Sequence, residues 1–154
     1  MISTAAADRV AAWVRAAEER GARVTRFGER AGNVLPAMVV EGAPLDADVH
    51  RREVFGPVVT LDAVASFDEG LARADDSPFG LQAGVFTADL EAALEAERRL
   101  TVGAVIVNDA PTFRVDTMPY GGEKASGLGR EGVAEAVLSF TRARLLVIRR
   151  MGPR

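Results

Sequence analysis

Residues 103–108 read Gly-Ala-Val-Ile-Val-Asn, a β-branched and apolar run with no polar break before its asparagine. A strand with apolar side chains on both faces must be covered on both, as in the interior of a parallel sheet. Strong helical patterns lie on either side. TADLEAALEAERRL (87–100) places Leu90, Ala93, Leu94 and Leu100 on one stripe, with Thr87 or Asp89 as cap and arginines in its last turn. REGVAEAVLSF (130–140) is a second helix pattern, with Glu131 in its first turn, where an acid suits the helix dipole.

The same alternation fills the N-terminal half. STAAADRVAAWVRAAEERG (3–21) repeats Val10, Trp13, Val14 and Ala17 at three- and four-residue steps, with Ser3 or Thr4 as cap and Gly21 as stop. ARVTRF (22–27) and LPAMVVEG (35–42) are short strand patterns. GAPLDADVHRR (42–52) reads as loop, and GPVVTLDAVA (56–65) as a buried strand. SFDEGLARADDS (66–77) is a helix capped by Ser66, and LQAGVFT (81–87) is a short strand. The segment from Asp109 to Gly129 reads as loop, and ARLLVIR (143–149) as a last strand. Strands alternating with helices predict an α/β fold, a mostly parallel sheet flanked by helices.

GLGREG (127–132) has the spacing G-x-G-x-x-G of a dinucleotide-binding turn. That fingerprint requires a strand before it and an acid about 20 residues after it. The preceding residues VDTMPYGGEKAS hold a proline and two adjacent glycines, and the sequence after it ends in RRMGPR. The glycines therefore read as a loop that needs positive φ or close backbone approach, followed by a helix.

Composition removes several chemistries. With no cysteine among the 154 residues there is no thiolate nucleophile, no disulfide and no thiolate metal site. One histidine, His50, leaves no two-histidine metal motif, and its setting between an acidic loop and two arginines predicts a surface position. No metal site is expected. Net charge is −3, without a basic block that would suggest nucleic acid, and no apolar run approaches the ~20 residues of a membrane span. The N-terminus lacks the basic region of a signal peptide, so a cytoplasmic protein is expected, with neither nucleic acid nor membrane as partner.

Four ordered stretches resemble the aldehyde dehydrogenase superfamily: REVFGPVV (52–59), DDSPFGLQAGVFTADLEAA (75–93), GAVIVND (103–109) and MPYGGEKASGLGREG (118–132). The resemblance runs from about Ile2 to Ile148 and corresponds to the C-terminal third of a full enzyme. It implies residues 1–139 as a partial catalytic domain and 140–154 as a terminal oligomerisation strand and tail. It also implies that the nucleotide-binding domain, the cysteine nucleophile and the glutamate base lie in segments not represented here.

The family activity is NAD(P)-dependent oxidation of an aldehyde to an acid, so NAD or NADP is the implied cofactor, with none bound by this chain alone. The resemblance matches Glu53 to a glutamate that hydrogen-bonds the nicotinamide ribose and Phe55 to an aromatic beside the nicotinamide. Read structurally, Phe55-Gly56-Pro57 would serve equally as a buried strand entry. Tyr120 and Arg114 match the substrate tunnel and mouth, Arg114 also reading as a solvated loop arginine, and Glu131 matches an accessory acid near the base. The loop from Asn108 to Gly122 looks closest to enzymes for small polar aldehydes such as lactaldehyde, or for phosphonate and phosphate aldehydes. Three readings follow: a truncated domain inactive alone, one subunit of a split enzyme completed by a nucleotide-domain chain, or a non-catalytic module that docks on an intact relative. The uncovered last strand implies a homo-oligomer or such a completing chain.

Overall fold

Helix α1 (Thr4–Glu19) starts where Ser3 accepts a hydrogen bond from the Ala6 amide at 3.1 Å, and the chain turns away at Gly21, whose φ of 101° a residue with a Cβ rarely adopts. Of the predicted stripe Val10, Val14 and Ala17 are at most 1% exposed and Trp13 is partly buried, and Ala7 is buried with them. The computed structural model describes residues 1–149 and 152, which divide into two compact units, Met1–Pro78 and Phe79–Arg154.

In the first unit, β2 (Met38–Glu41) is the central strand of three. It pairs antiparallel with β1 (Arg23–Arg26) and parallel with β3 (Val58–Leu61). Met38 and Val40 point inward and meet Val10, Val14 and Ala17 in one core that also includes Ala22, Ala43, Ala47 and Val49. Each buried valine contributes about 1.5–3 kcal/mol relative to an exposed one. The segment expected as loop contains a single helical turn, α2 (Asp48–Arg51), which buries Val49. β3 is not the buried strand expected. It is an outer strand with one open face, and Val59 and Leu61 are more than half exposed. Helix α3 (Phe67–Asp75) is capped by Ser66 Oγ on the Glu69 amide, and the Glu69 carboxylate reaches back to the Ala65 amide.

In the second unit, β5 (Gln82–Val85) and β6 (Ala104–Val107) form a parallel pair, joined through α4 (Leu90–Arg99). Asp89 caps α4 by accepting from the Glu91 amide. Of the expected stripe only Leu100 is buried, while Leu90 is 70% and Leu94 43% exposed; Ala96, outside that stripe, is buried instead. β4 (Phe79–Gly80) pairs antiparallel with β7 (Glu123–Lys124), the latter inside the segment read as loop. Both units therefore carry the parallel pairing expected of an α/β chain, each with an antiparallel companion.

Helix α5 (Val133–Phe140) buries no residue. The expected strand 143–149 is absent: residues 141–149 hold no regular structure, and Leu145, Leu146, Val147 and Ile148 are each more than 70% exposed. A strand requires a neighbour for its amides and carbonyls, and no strand pairs with this segment among the described residues. Four residues of the basic tail, Arg150, Met151, Pro153 and Arg154, lie outside the described residues. Among the described residues no helix is long and apolar enough to cross a membrane.

Candidate functional site

Glu53 and Phe55 lie on a strap, residues 52–57, that runs across α1. Arg9 donates to the Val54 carbonyl at 2.9 Å, and the guanidinium groups of Arg9 and Arg52 lie over the Trp13 ring at 4.5 and 5.7 Å. At Gly56 a Cβ would stand 3.1 Å from a Val10 methyl, so the strap sits close on the helix. Val54 packs against the core, and its neighbours Glu53 and Phe55 are exposed. Phe55 is not a buried strand entry: it is 75% exposed and its φ is 47°. That left-handed conformation costs a bulky residue about 1–2 kcal/mol. The fold spends this on a ring that covers no core.

His50 departs from its expected surface position. Its side chain is 14% exposed, and Nε2 is buried 3.4 Å from Asp62 Oδ2 without a hydrogen-bond partner among the described residues. The placement follows from α2, which turns Val49 into the core and carries His50 with it. A cavity of about 250 Å³ opens beside it, walled by Leu45, Arg51, Glu69, Arg73 and Asp76. Arg51 is bonded to Asp76 and Arg73 to Glu69, so the wall charges are compensated pair by pair. No group of three His, Asp or Glu side chains suited to a metal occurs among the described residues.

In the second unit the structure brings three of the predicted residues together. The Arg114 guanidinium stands 4.1 Å above the Tyr120 ring, and Arg114 itself is an exposed loop residue. Tyr120 in turn bridges Glu131 through the backbone: the Tyr120 amide donates to the Glu131 carbonyl at 2.8 Å, and the Glu131 amide donates back at 2.5 Å. Glu131 therefore precedes the helix instead of sitting in its first turn. Gly132 takes the N-cap position, and the Glu131 side chain is exposed.

This bridge closes residues 120–131 into a loop with its own ties. The Gly80 amide donates to Ser126 Oγ at 3.0 Å. Arg130 donates to the carbonyls of Gly122 and Gly129 and pairs with Glu123. Gly127, Gly129 and Gly132 all have positive φ, and a Cβ on Gly121 would run into the Gly129 carbonyl. The spacing that imitates a dinucleotide turn is thus accounted for by loop closure. A cavity of about 330 Å³ lies against the loop, lined by Leu81, Tyr120, Ser126, Leu128 and Glu131.

The resemblance matches Asn108 to the asparagine that closes this strand, read as a turn former, whereas Gly84 has no reading of its own in the sequence. Asn108 ends β6 at a φ of 60°, and its Oδ1 accepts from the Thr87 amide at 2.9 Å. A glycine inside a strand signals close backbone approach, and at Gly84 the approaching groups are Asp109 and Pro111.

Comparison with known proteins agrees with the resemblance in the motifs. The profile of the aldehyde dehydrogenase family matches residues 1–146. A 3-sulfolactaldehyde dehydrogenase of Priestia aryabhattai is 43% identical over 148 residues, 96% of this chain and 31% of that protein. Aldehyde dehydrogenase 21 of Physcomitrella patens, solved in complex with the reaction product succinate, superposes with a TM-score of 0.91 at 40% identity, over 97% of this chain and 31% of that one. Glyceraldehyde-3-phosphate dehydrogenase of Methanocaldococcus jannaschii, complexed with NADP, gives a TM-score of 0.83 at 33% identity, over 90% of this chain and 30% of that one. The chain thus spans about a third of the length of the relatives it matches.

Proposed function

The chain belongs to the aldehyde dehydrogenase family, and from that premise we propose two separate roles for its residues in enzymes that oxidise a small anionic aldehyde to an acid with NAD or NADP: a substrate mouth in the second unit, and a cofactor-binding strap in the first. The observation that carries this reading is the Arg114 guanidinium stacked on Tyr120. A stacked guanidinium keeps its N–H edge free, and Arg114 has no carboxylate partner among the described residues. That edge offers parallel donors to a carboxylate, sulfonate or phosphate. The relatives support the same chemistry: one is named for a sulfonated aldehyde, one for a phosphorylated aldehyde, and one was solved with succinate.

The strap fits a nicotinamide nucleotide. The Glu53 carboxylate is exposed and can accept from both ribose hydroxyls, while Phe55 offers an uncovered aromatic face. When bound, the nucleotide supplies the hydride acceptor. Glu131, held beside Tyr120 by the backbone bridge with its carboxylate exposed, is the accessory acid. No cysteine is present, so the nucleophile of the covalent step comes from residues other than these, in the same or a second chain.

The 154 residues by themselves accordingly turn over no aldehyde. Purified chain incubated with 3-sulfolactaldehyde and NAD or NADP should form no reduced nucleotide. Adding the cysteine-bearing remainder of a relative should start the reaction, and Arg114→Ala should then raise KM for the anionic aldehyde but not for propanal. Turnover by the chain alone would refute the reading. The apolar surface of α5 and residues 145–148 favours a second element of the proposal, association with another copy or a completing chain. A monomer at every concentration in light scattering would remove it.

A further inference from the structure

We propose that Gly84 and Asn108 are positioning residues that set the aldehyde preference of the site, by seating the 109–119 loop so that Arg114 lands on Tyr120. The proposal deepens the reading of Arg114 as the anion-binding group and rests on it.

Side chains alternate along β5, so Gln82 and Gly84 share one face of the strand. The loop lies on that face. A Cβ at Gly84 would stand 2.8 Å from the Asp109 carbonyl oxygen and 3.0 Å from Pro111 Cδ. Neither group is a flexible side-chain tip that could fold away, so the loop can rest there only if position 84 has no side chain. Two residues earlier on the same face, Gln82 Nε2 reaches the carbonyl of Phe113 at 3.5 Å, the residue before Arg114.

Asn108 sets the direction of departure. Its amide donates to the Val85 carbonyl at 2.8 Å, extending the β5–β6 ladder by one step. The chain then turns through a left-handed φ of 60°, which asparagine tolerates better than most residues. Its Oδ1 holds the Thr87 amide, fixing the turn to the entry of α4. The next residues are tied in sequence: Asp109 Oδ1 accepts from the Ala110 amide at 2.7 Å, and the Phe113 amide donates to the Ala110 carbonyl at 3.0 Å. Tyr120, at the other end, is fixed independently by its bridge to Glu131. The stack therefore joins two separately anchored ends, and a displaced take-off at Asp109 moves the guanidinium off the ring.

The chain has one tyrosine, so the Tyr120 ring resonances can be followed by NMR without ambiguity. Arg114→Ala gives the unstacked reference. Gly84→Ala and Asn108→Ala should move the ring resonances to that reference. Asn108→Asp, which keeps an acceptor oxygen and tolerates positive φ, should leave them in place.

Methanesulfonate is the anionic probe, and dimethyl sulfone is its uncharged analogue of similar size. Methanesulfonate should perturb Tyr120 in the wild type and in Asn108→Asp, and should bind about tenfold more weakly to Asn108→Ala and Gly84→Ala, as expected for loss of a hydrogen-bonded charge contact. Dimethyl sulfone should perturb none of them. If methanesulfonate binds wild type and Gly84→Ala alike, the anion reading stands and the positioning proposal fails. If it leaves the wild type unmoved while Gly84→Ala still shifts the ring, the anion reading fails and takes the aldehyde preference with it. If Gly84→Ala does not fold, the Asn108 pair decides: identical behaviour of Ala and Asp overturns the proposal.

Discussion

Each unit is held together internally by its own means. Met1–Pro78 has a side-chain core, with Val10, Val14 and Val40 all but inaccessible and ion pairs around its rim. Phe79–Arg154 buries few large side chains. Its close contacts are backbone against backbone, at Gly80 over Thr101, Gly103 over Gly121, and Gly121 over Gly129. Its last helix buries nothing. A side-chain core tolerates a small change of volume by local repacking, whereas a glycine contact has no slack, because the intruding Cβ meets a carbonyl that is fixed in the main chain. The proposed mouth lies in the unit with less tolerance, and its loops keep their shape through that property.

The largest test of this contrast is a charge in the side-chain core. Val10→Asp buries an unpaired carboxylate and should destabilise the first unit by about 4 kcal/mol or more. The readout is denaturant unfolding followed by Trp13, the only tryptophan. Next is Gly103→Ala. One methyl directed at the Gly121 carbonyl should cost about 1–3 kcal/mol. The loss should appear in amide exchange of β5 and β6 with the Trp13 transition unmoved. If Trp13 shifts equally, the division of labour between the units is wrong.

Smaller again is the effect of replacing Leu145 and Ile148 by Ser. Both are over 80% exposed, so stability should hold within about 0.5 kcal/mol. Concentration-dependent association in light scattering should fall instead. The smallest effect concerns pH. Arg23, hydrogen-bonded across the β1–β2 ladder, holds the Glu41 carboxyl below its ordinary value. A lowered carboxylate gives stability that is complete above its unfolded pKa and is lost as pH falls through the folded one. Wild type should therefore lose slightly more stability than Glu41→Gln on acidification from about pH 7 to about pH 3. Equal slopes would mean that the pair contributes nothing.

Local rules that act within a few residues were legible in the sequence. Ser66 caps its helix as expected, Ser3 and Asp89 are the caps where the sequence left Thr4 and Thr87 as alternatives, and five strands form where strand patterns predicted them. The errors share a cause: each depended on what stands next to the segment in space. ARLLVIR has the composition of a strand but, among the described residues, no strand beside it. His50 lies in a polar run, yet a single uncapped helical turn anchored by Val49 carries it inward. Of the site, the motifs located Arg114, Tyr120 and Glu131 in one region. Stacking of the first two was not legible, because the five residues of loop between them set no angle. Gly84 looked like an ordinary strand residue until the path of Asp109 and Pro111 above it was known.

Phe55 carries a last consequence, for anyone who would engineer this chain. Glycine would occupy its backbone conformation without strain, and almost no apolar burial would be lost with the ring. A redesign that optimised thermal robustness alone would replace it early. Gly84 stands at the opposite pole, since the usual exchange of a strand glycine for a better β-former would wedge the loop off its seat. Automated stabilisation of this chain would therefore start with two substitutions that look favourable or harmless by general rules, and each would fall on a feature that the proposed chemistry uses.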